Sequence, residues 1–142
     1  MYAYPAKLTV DGNAIVVTFP DVPEAATSGS NRKEALTEAV EALTAALSFY
    51  VDNNERLPTA SDPKRGQVLV QLPTGIIAKL ALYSAMREQG ITQSELARRL
   101  GVHRQHVARI IDPAHNTKFE VLEAALAAIG LQVQVSITKV AA

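Results

Sequence analysis

Along the first seventy residues, apolar and polar positions alternate in short runs, and turn residues break the runs. Tyr2 to Thr9 and Ala14 to Phe19 read as two strands, with Asp11-Gly12-Asn13 between them as the turn of a β-hairpin. Pro5 places the first strand at a sheet edge or at a bulge, because proline donates no ladder hydrogen bond. Phe19-Pro20-Asp21-Val22-Pro23 is an irregular exit restricted by its two prolines, and Ala26 to Ser28 is a short candidate third strand. The period then lengthens. Leu36, Val40, Leu43, Leu47 and Tyr50 recur at spacings of three and four, which makes one apolar stripe on a helix. Asn31 with Glu34 forms a capping box at its start, and Asp52-Asn53-Asn54 ends it. Leu57 to Gly66 reads as a loop, and Gln67 to Leu72 as a last strand. The order β-β-(β)-α-β predicts a small α+β unit with one helix packed on a sheet face.

Pro73-Thr74-Gly75 marks a boundary between one domain over residues 1–72 and a second over 76–142. The second is helical. Ile76 to Gln89 is an amphipathic helix that carries Ile77, Leu80, Tyr83, Ala85 and Met86 and stops at Gly90. Thr92 and Glu95 form another capping box and open a helix that ends at Gly101. A further helix closes at Asp112-Pro113, since the residue before proline leaves the helical region. Lys118 to Ile129 is the last helix, stopped by Gly130. Leu131 to Ile137 alternates Leu, Val, Val and Ile with Gln, Gln and Ser, the pattern of a strand with one buried face. A lone strand needs a partner. The expected partner is the same strand of a second chain across a two-fold axis, and the alternative is a return to the N-terminal sheet.

Gln93 to Asp112 holds the densest information. Ala97 sits where a larger side chain would push two crossing helices apart, and Gly101 suits the tight turn between them. Leu96, Leu100, Val102, Val107 and Ile110 are the expected buried seam. This is the pattern of a helix-turn-helix. Its second helix begins with His103, Arg104, Gln105 and His106, and Arg109 follows one turn later. Arg bonds guanine bidentately and Gln does the same with adenine, so this turn is the expected base reader. Gln93 and Ser94 lie at a helix N-terminus, where free N–H groups suit a phosphate. Asn116 and Lys118 are candidate backbone contacts. The alternative for each residue singly is an ordinary solvated polar face; it is their register with Ala97, Gly101 and Val107 that points to DNA.

Composition refines this picture. The chain has 142 residues, is 48% hydrophobic, has no cysteine and carries zero formal net charge. Zero net charge alone argues against a nucleic-acid binder, but its distribution argues otherwise. Residues 1–72 hold six Lys/Arg and nine Asp/Glu, and residues 73–142 hold eight and five, so the halves differ by about −3 against +3. A basic half suits phosphates, and an acidic half suits a basic protein partner. The absence of cysteine leaves no disulfide or thiolate metal site and fits a cytoplasmic protein. No membrane span or secretory signal is read. His103, His106 and His115 lack acidic or thiol residues placed to complete a metal site, so no metal or other cofactor is expected. The N-terminal acids Asp11, Asp21, Glu24 and Asp52 lie mostly in turns or at a helix end, where solvated acids usually lie. With no phosphate loop and no nucleophile motif, no catalytic residue is expected.

Nearly the whole chain resembles the HicB antitoxins of type II toxin–antitoxin modules, in the subgroup with a C-terminal helix-turn-helix. The resemblance rests on Tyr4-Pro5-Ala6, on Val17-Thr18-Phe19-Pro20-Asp21-Val22-Pro23-Glu24-Ala25, and on Glu34-Ala35-Leu36 through Ala42-Leu43. It continues in Phe49-Tyr50, Leu57-Pro58, Thr92 to Gly101 and His115-Asn116-Thr117-Lys118. It implies a partial RNase H-like N-terminal domain that binds and inhibits a HicA-type toxin. That toxin is an mRNA-cleaving ribonuclease with a double-stranded-RNA-binding-domain-like fold and a catalytic histidine. The resemblance also implies a Cro-like helix-turn-helix that represses the chain's own operon on operator DNA. An RNase H-like sheet without its carboxylate set is expected to be inactive. His103 stands where many relatives place Ser or Thr to cap the recognition helix, so base preference does not carry over. Asp21 and Glu24 are the expected acidic contacts to the toxin, and the chain is expected to form a homodimer or higher homo-oligomer on a palindromic site. A stand-alone repressor with a ligand-sensing N-terminal domain is the alternative function, and an active nuclease is a third.

Overall fold

The computed structural model describes residues 2–141. Its N-terminal half is a sheet with a helix on one face. Strands β1 (Ala3–Asp11), β2 (Ala14–Thr18) and β3 (Ala26–Gly29) form an antiparallel meander. The helix α1 (Arg32–Asp52) and a long loop then lead to β4 (Gln67–Gln71), which pairs antiparallel with β1 and gives the order β3-β2-β1-β4. Gly12 sits at φ +60° in the hairpin turn, a conformation that suits a residue without a Cβ.

β1 is an interior strand, although Pro5 suggests an edge. The register reconciles the two: residues 7–11 of β1 pair with β2, while residues 3–7 pair with β4. Pro5 therefore has a neighbour on one side only, which is the local edge a proline requires.

Asn31 caps α1 by accepting from the Glu34 N–H at 2.8 Å. The Glu34 carboxylate accepts instead from Ser30 Oγ, so the box is only half made as expected. The line of α1 that meets the sheet also differs from the expected stripe. Ala35, Ala39, Leu43, Ala46 and Leu47 are buried, and Leu36, Val40 and Tyr50 are half-buried at its flanks. Small residues let the helix lie close to the sheet, and the larger apolar ones cover the seam from its sides. The core on this side is completed by Tyr4, Ala6, Val17, Phe19, Val22 and Ala25.

Four helices follow: α2 (Thr74–Gln89), α3 (Gln93–Leu100), α4 (Arg104–Ile111) and α5 (Phe119–Ala127). Their core holds Leu82, Tyr83, Met86, Leu96, Val107, Ile110, Leu122 and Leu126. α2 belongs to both cores, because Leu80 packs in the first and Leu82 in the second. The halves are joined further by Val51 of α1, which sits in the second core, and by Ser48 Oγ, which donates to Asp112 Oδ1 at 2.6 Å. Tyr83 Oη donates to Glu55 O at 2.6 Å and holds the loop after α1 against α2.

Residues 131–141 form neither helix nor strand in the single chain, so the expected terminal strand is not made here and does not return to the N-terminal sheet. Val133 packs on the helical core, while Val135, Ile137 and Val140 are 74%, 91% and 91% exposed. A strand exists only through a ladder partner, and one chain offers none at this place.

Candidate nucleic-acid interface

Thr92 caps α3 by accepting from the Glu95 N–H at 3.1 Å. α3 ends at Gly101 in the left-handed region, φ +69°, and the Val102 N–H reaches back to Ala97 O at 3.0 Å. That turn sets the angle between α3 and α4. Leu96 and Ala97 on one helix face Val107, Ile110 and Ile111 on the other, all buried. Val102, expected in the seam, is 36% exposed, because the turn that bonds its backbone to Ala97 swings its side chain outward.

With Val107, Ile110 and Ile111 turned inward, helical spacing presents Gln105 and Arg109 at the centre of the outer face of α4, with Arg104, His106 and Ala108 on its flanks. All five are exposed. Among the described residues, Arg104, Gln105, His106 and the Arg109 guanidinium make no side-chain hydrogen bond or ion pair within the chain.

Beside α4 lies a depression of about 190 Å³, lined by His106, Arg109, Asn116, Lys118, His115 and Thr117. It brings four of the expected contacts together. His115 and Thr117 are additions to the expected contacts, although both belong to the His115-Asn116-Thr117-Lys118 block that carries the resemblance. Gln93 is half-buried and Ser94 is exposed at the start of α3. His103 occupies the N-cap of α4 with extended backbone and makes no side-chain capping bond.

Arg98 and Arg99 are otherwise engaged. Arg98 donates to both Glu95 oxygens, at 2.6 and 2.9 Å, and Arg99 donates to Glu95 at 3.1 Å and to Ala128 O at 3.0 Å. These guanidinium hydrogen bonds hold the Glu95 carboxyl below the usual carboxylate range.

Sequence reasoning missed Lys79. This lysine of α2 is only 2% exposed. Its Nζ donates to Arg109 O at 2.9 Å, Ile110 O at 2.9 Å and Thr117 Oγ1 at 2.6 Å. Three donors meet three acceptors, so the ammonium ties the last turn of α4 and the following loop to α2. The cation also complements the negative end of the α4 dipole. Burial lowers its pKa from 10.5 to about 8, and Asp112 opposes that shift. Nothing in its position, midway along an apolar helix, marks it beforehand as more than a solvated lysine.

The expected protein-contact acids lie on the other half. The half-buried Asp21 accepts from Ser61 N–H and Oγ, both at 2.9 Å, and the exposed Glu24 accepts from Tyr50 Oη at 2.8 Å. Each thus pins a neighbouring segment. Among the described residues, no group of three His, Asp or Glu converges as a metal site would require.

Comparison with known proteins places this arrangement. Residues 3–81 match the family described as HicB_like antitoxin of bacterial toxin–antitoxin system, and residues 82–134 match the helix-turn-helix family. The chain belongs to the HicB-like antitoxin family. Antitoxin HicB 1 of Photorhabdus laumondii is 40% identical and aligns over 94% of this chain and 86% of its own length. Antitoxin HicB of Pseudomonas fluorescens is 33% identical over 96% and 94%, and that of Escherichia coli is 35% identical over 89% and 93%. The chain is thus an antitoxin homologue with a DNA-binding helix-turn-helix. The two matched segments meet between residues 81 and 82, inside α2, the helix that contributes to both cores. Among the described residues, no helix is long and apolar enough to cross a membrane.

Proposed function

We propose that this antitoxin inhibits a HicA-type, mRNA-cleaving toxin by covering its RNA site, and that it represses its own operon. The N-terminal half makes the toxin contact, and α4 reads the operator in the cytoplasm. The chain acts by binding, with no reaction of its own. The observation that carries the DNA reading is the outer face of α4. Arg104, Gln105, His106 and Arg109 have no partner among the described residues, on a helix whose other side is fully committed to the core. A helix so divided is suited to lie in a major groove with its first turn toward the bases.

Gln105→Ala is expected to cost about 1–3 kcal/mol on the cognate operator and to relax the choice at one base pair. Titration of a set of singly substituted operators checks this. Equal weakening on every sequence would make Gln105 a backbone contact.

The repressor is proposed to act as a dimer on a palindromic site, joined by residues 131–141 of two chains. The exposed alternation of Val135 and Ile137 supports this, since pairing with a second copy would cover it. Removing residues 131–142 is expected to give monomers by light scattering and to weaken operator binding. An unchanged dimer would refute this pairing. Inhibition is tested by mRNA cleavage with the toxin alone and with the antitoxin added.

A further inference from the structure

α1 has three faces, and two of them are occupied. One packs on the sheet through Ala35, Ala39 and Leu43, and another meets the helical half through Ser48 and Val51. The third face reads Glu38, Glu41, Ala45, Phe49 and Asp52 at spacings of three, four, four and three. At 3.6 residues per turn these five share roughly 80° of arc and extend over about 20 Å. All five are exposed, and Phe49 is 64% exposed. Beside this face runs an open groove of about 730 Å³, with Val40, Ala45, Ile76 and Pro113 among its apolar walls and Glu41, Thr44 and the His115–Thr117 loop among its polar ones.

Among the described residues, Glu38, Glu41 and Asp52 form no ion pair and accept no hydrogen bond from another side chain. The one lysine in the groove wall, Lys79, has its ammonium taken by three acceptors. The face is therefore an exposed phenyl ring with Ala45 one turn away, set among three carboxylates that make no ion pair among the described residues.

We propose that this face of α1, with Phe49 as its anchor, is the docking surface for the toxin, a small basic protein. Charge selects the occupant. A ribonuclease must hold a polyanion, so the site to be covered is cationic, and three carboxylates along one helix oppose it. Operator DNA is repelled by the same charges. A second copy of this chain, docked face to face about a two-fold axis, would set like charges against each other. An exposed aromatic side chain is the kind of group that can anchor a protein interface.

The proposal rests on the toxin-binding reading above, and its test separates the two. The full chain is immobilised, and a HicA-type toxin, in a cleavage-inactive form, is titrated on. Phe49→Ser is expected to weaken capture about 30-fold or more. Glu38→Lys with Glu41→Lys is expected to weaken it about tenfold and to reduce its dependence on salt. Both variants change exposed side chains, so thermal unfolding is read alongside and should hold; operator binding should hold for Phe49→Ser, which lies outside the groove that Glu41 shares with Asn116. Asp21→Asn, at the loop carboxylate that Ser61 already occupies, should bind like the parent. If the parent chain binds and both α1 variants bind within twofold of it, the surface is wrong while the toxin reading stands. If the parent chain itself captures nothing, both fall.

Discussion

Replacing Lys79 by alanine is expected to destabilise the protein by about 3 kcal/mol and to weaken operator binding beyond what the lost stability explains. The reason is what the substitution leaves behind. Arg109 O, Ile110 O and Thr117 Oγ1 would lose their shared donor at a place closed to water. Unsatisfied buried acceptors cost more than an ordinary hydrogen bond contributes. The tether that fixes the end of α4, and the loop bearing Asn116 and Lys118, would go with it. Lys79→Met keeps much of the stem packing but not the donors, so most of the loss should remain. Denaturant midpoints and operator titrations check both. A loss below about 1 kcal/mol would mean that water or a shifted side chain replaces the ammonium.

The same residue predicts a pH dependence. Its pKa is about 8 in the fold and 10.5 in the unfolded chain. Between those values the unfolded chain retains a proton that the folded chain has released, so raising the pH favours the folded state. The stability of the parent chain relative to Lys79→Met should therefore rise from pH 8 to 10. Above pH 10 the buried Tyr4, pushed up to about 12, lowers the stability of both chains alike, because the unfolded chain ionises first, and it drops out of the difference. A difference that is flat or falls between pH 8 and 10 would show that the three acceptors stabilise the ammonium more than burial penalises it.

The second large effect concerns packing. Gly29→Ala is expected to cost about 1–3 kcal/mol and to lower the melting temperature accordingly. A Cβ at Gly29 would lie 2.4 Å from Ala35 N and 2.7 Å from Ala35 Cα. Both are backbone atoms of the first turns of α1, which cannot step aside as a flexible side chain would. Either β3 leaves β2 or the start of α1 lifts from the sheet. Thermal unfolding reads this directly, and a change under about 0.5 kcal/mol would mean that the approach relaxes at little cost.

Much of the fold was legible along the chain because local rules set it. Gly90 and Gly101 end their helices in the left-handed region, Asp112 precedes a proline, and Thr92 caps α3, all as the sequence indicates. The outer face of α4 was legible for the same reason: Val107 and Ile110 turned inward leave Gln105 and Arg109 outward. Other assignments moved. The buried line of α1 passes through Ala35 and Ala39 rather than Leu36 and Val40, since closeness to the sheet selects for small volume and not for hydrophobicity alone. Val102 turned outward because the bond of its own backbone to Ala97 decided its direction.

What the sequence determined by itself was therefore the strands and helices up to Ala127, the helix-turn-helix and the polar residues on the outer face of α4. Each depends on the periodicity or capping of a few neighbouring residues. The tertiary structure alone decided what becomes of residues that meet across long separations. It turned Lys79 into the clamp on α4, made Gly29 the only residue type that fits beside Ala35, and engaged Asp21 and Glu24 with Ser61 and Tyr50. It also left Phe49 in the open among unpaired carboxylates, and the C-terminal alternation without a ladder. The physical reason is common to all of these. Burial, hydrogen-bond satisfaction and charge compensation depend on which atoms surround a group, and those neighbours are brought together by the fold from distant parts of the chain.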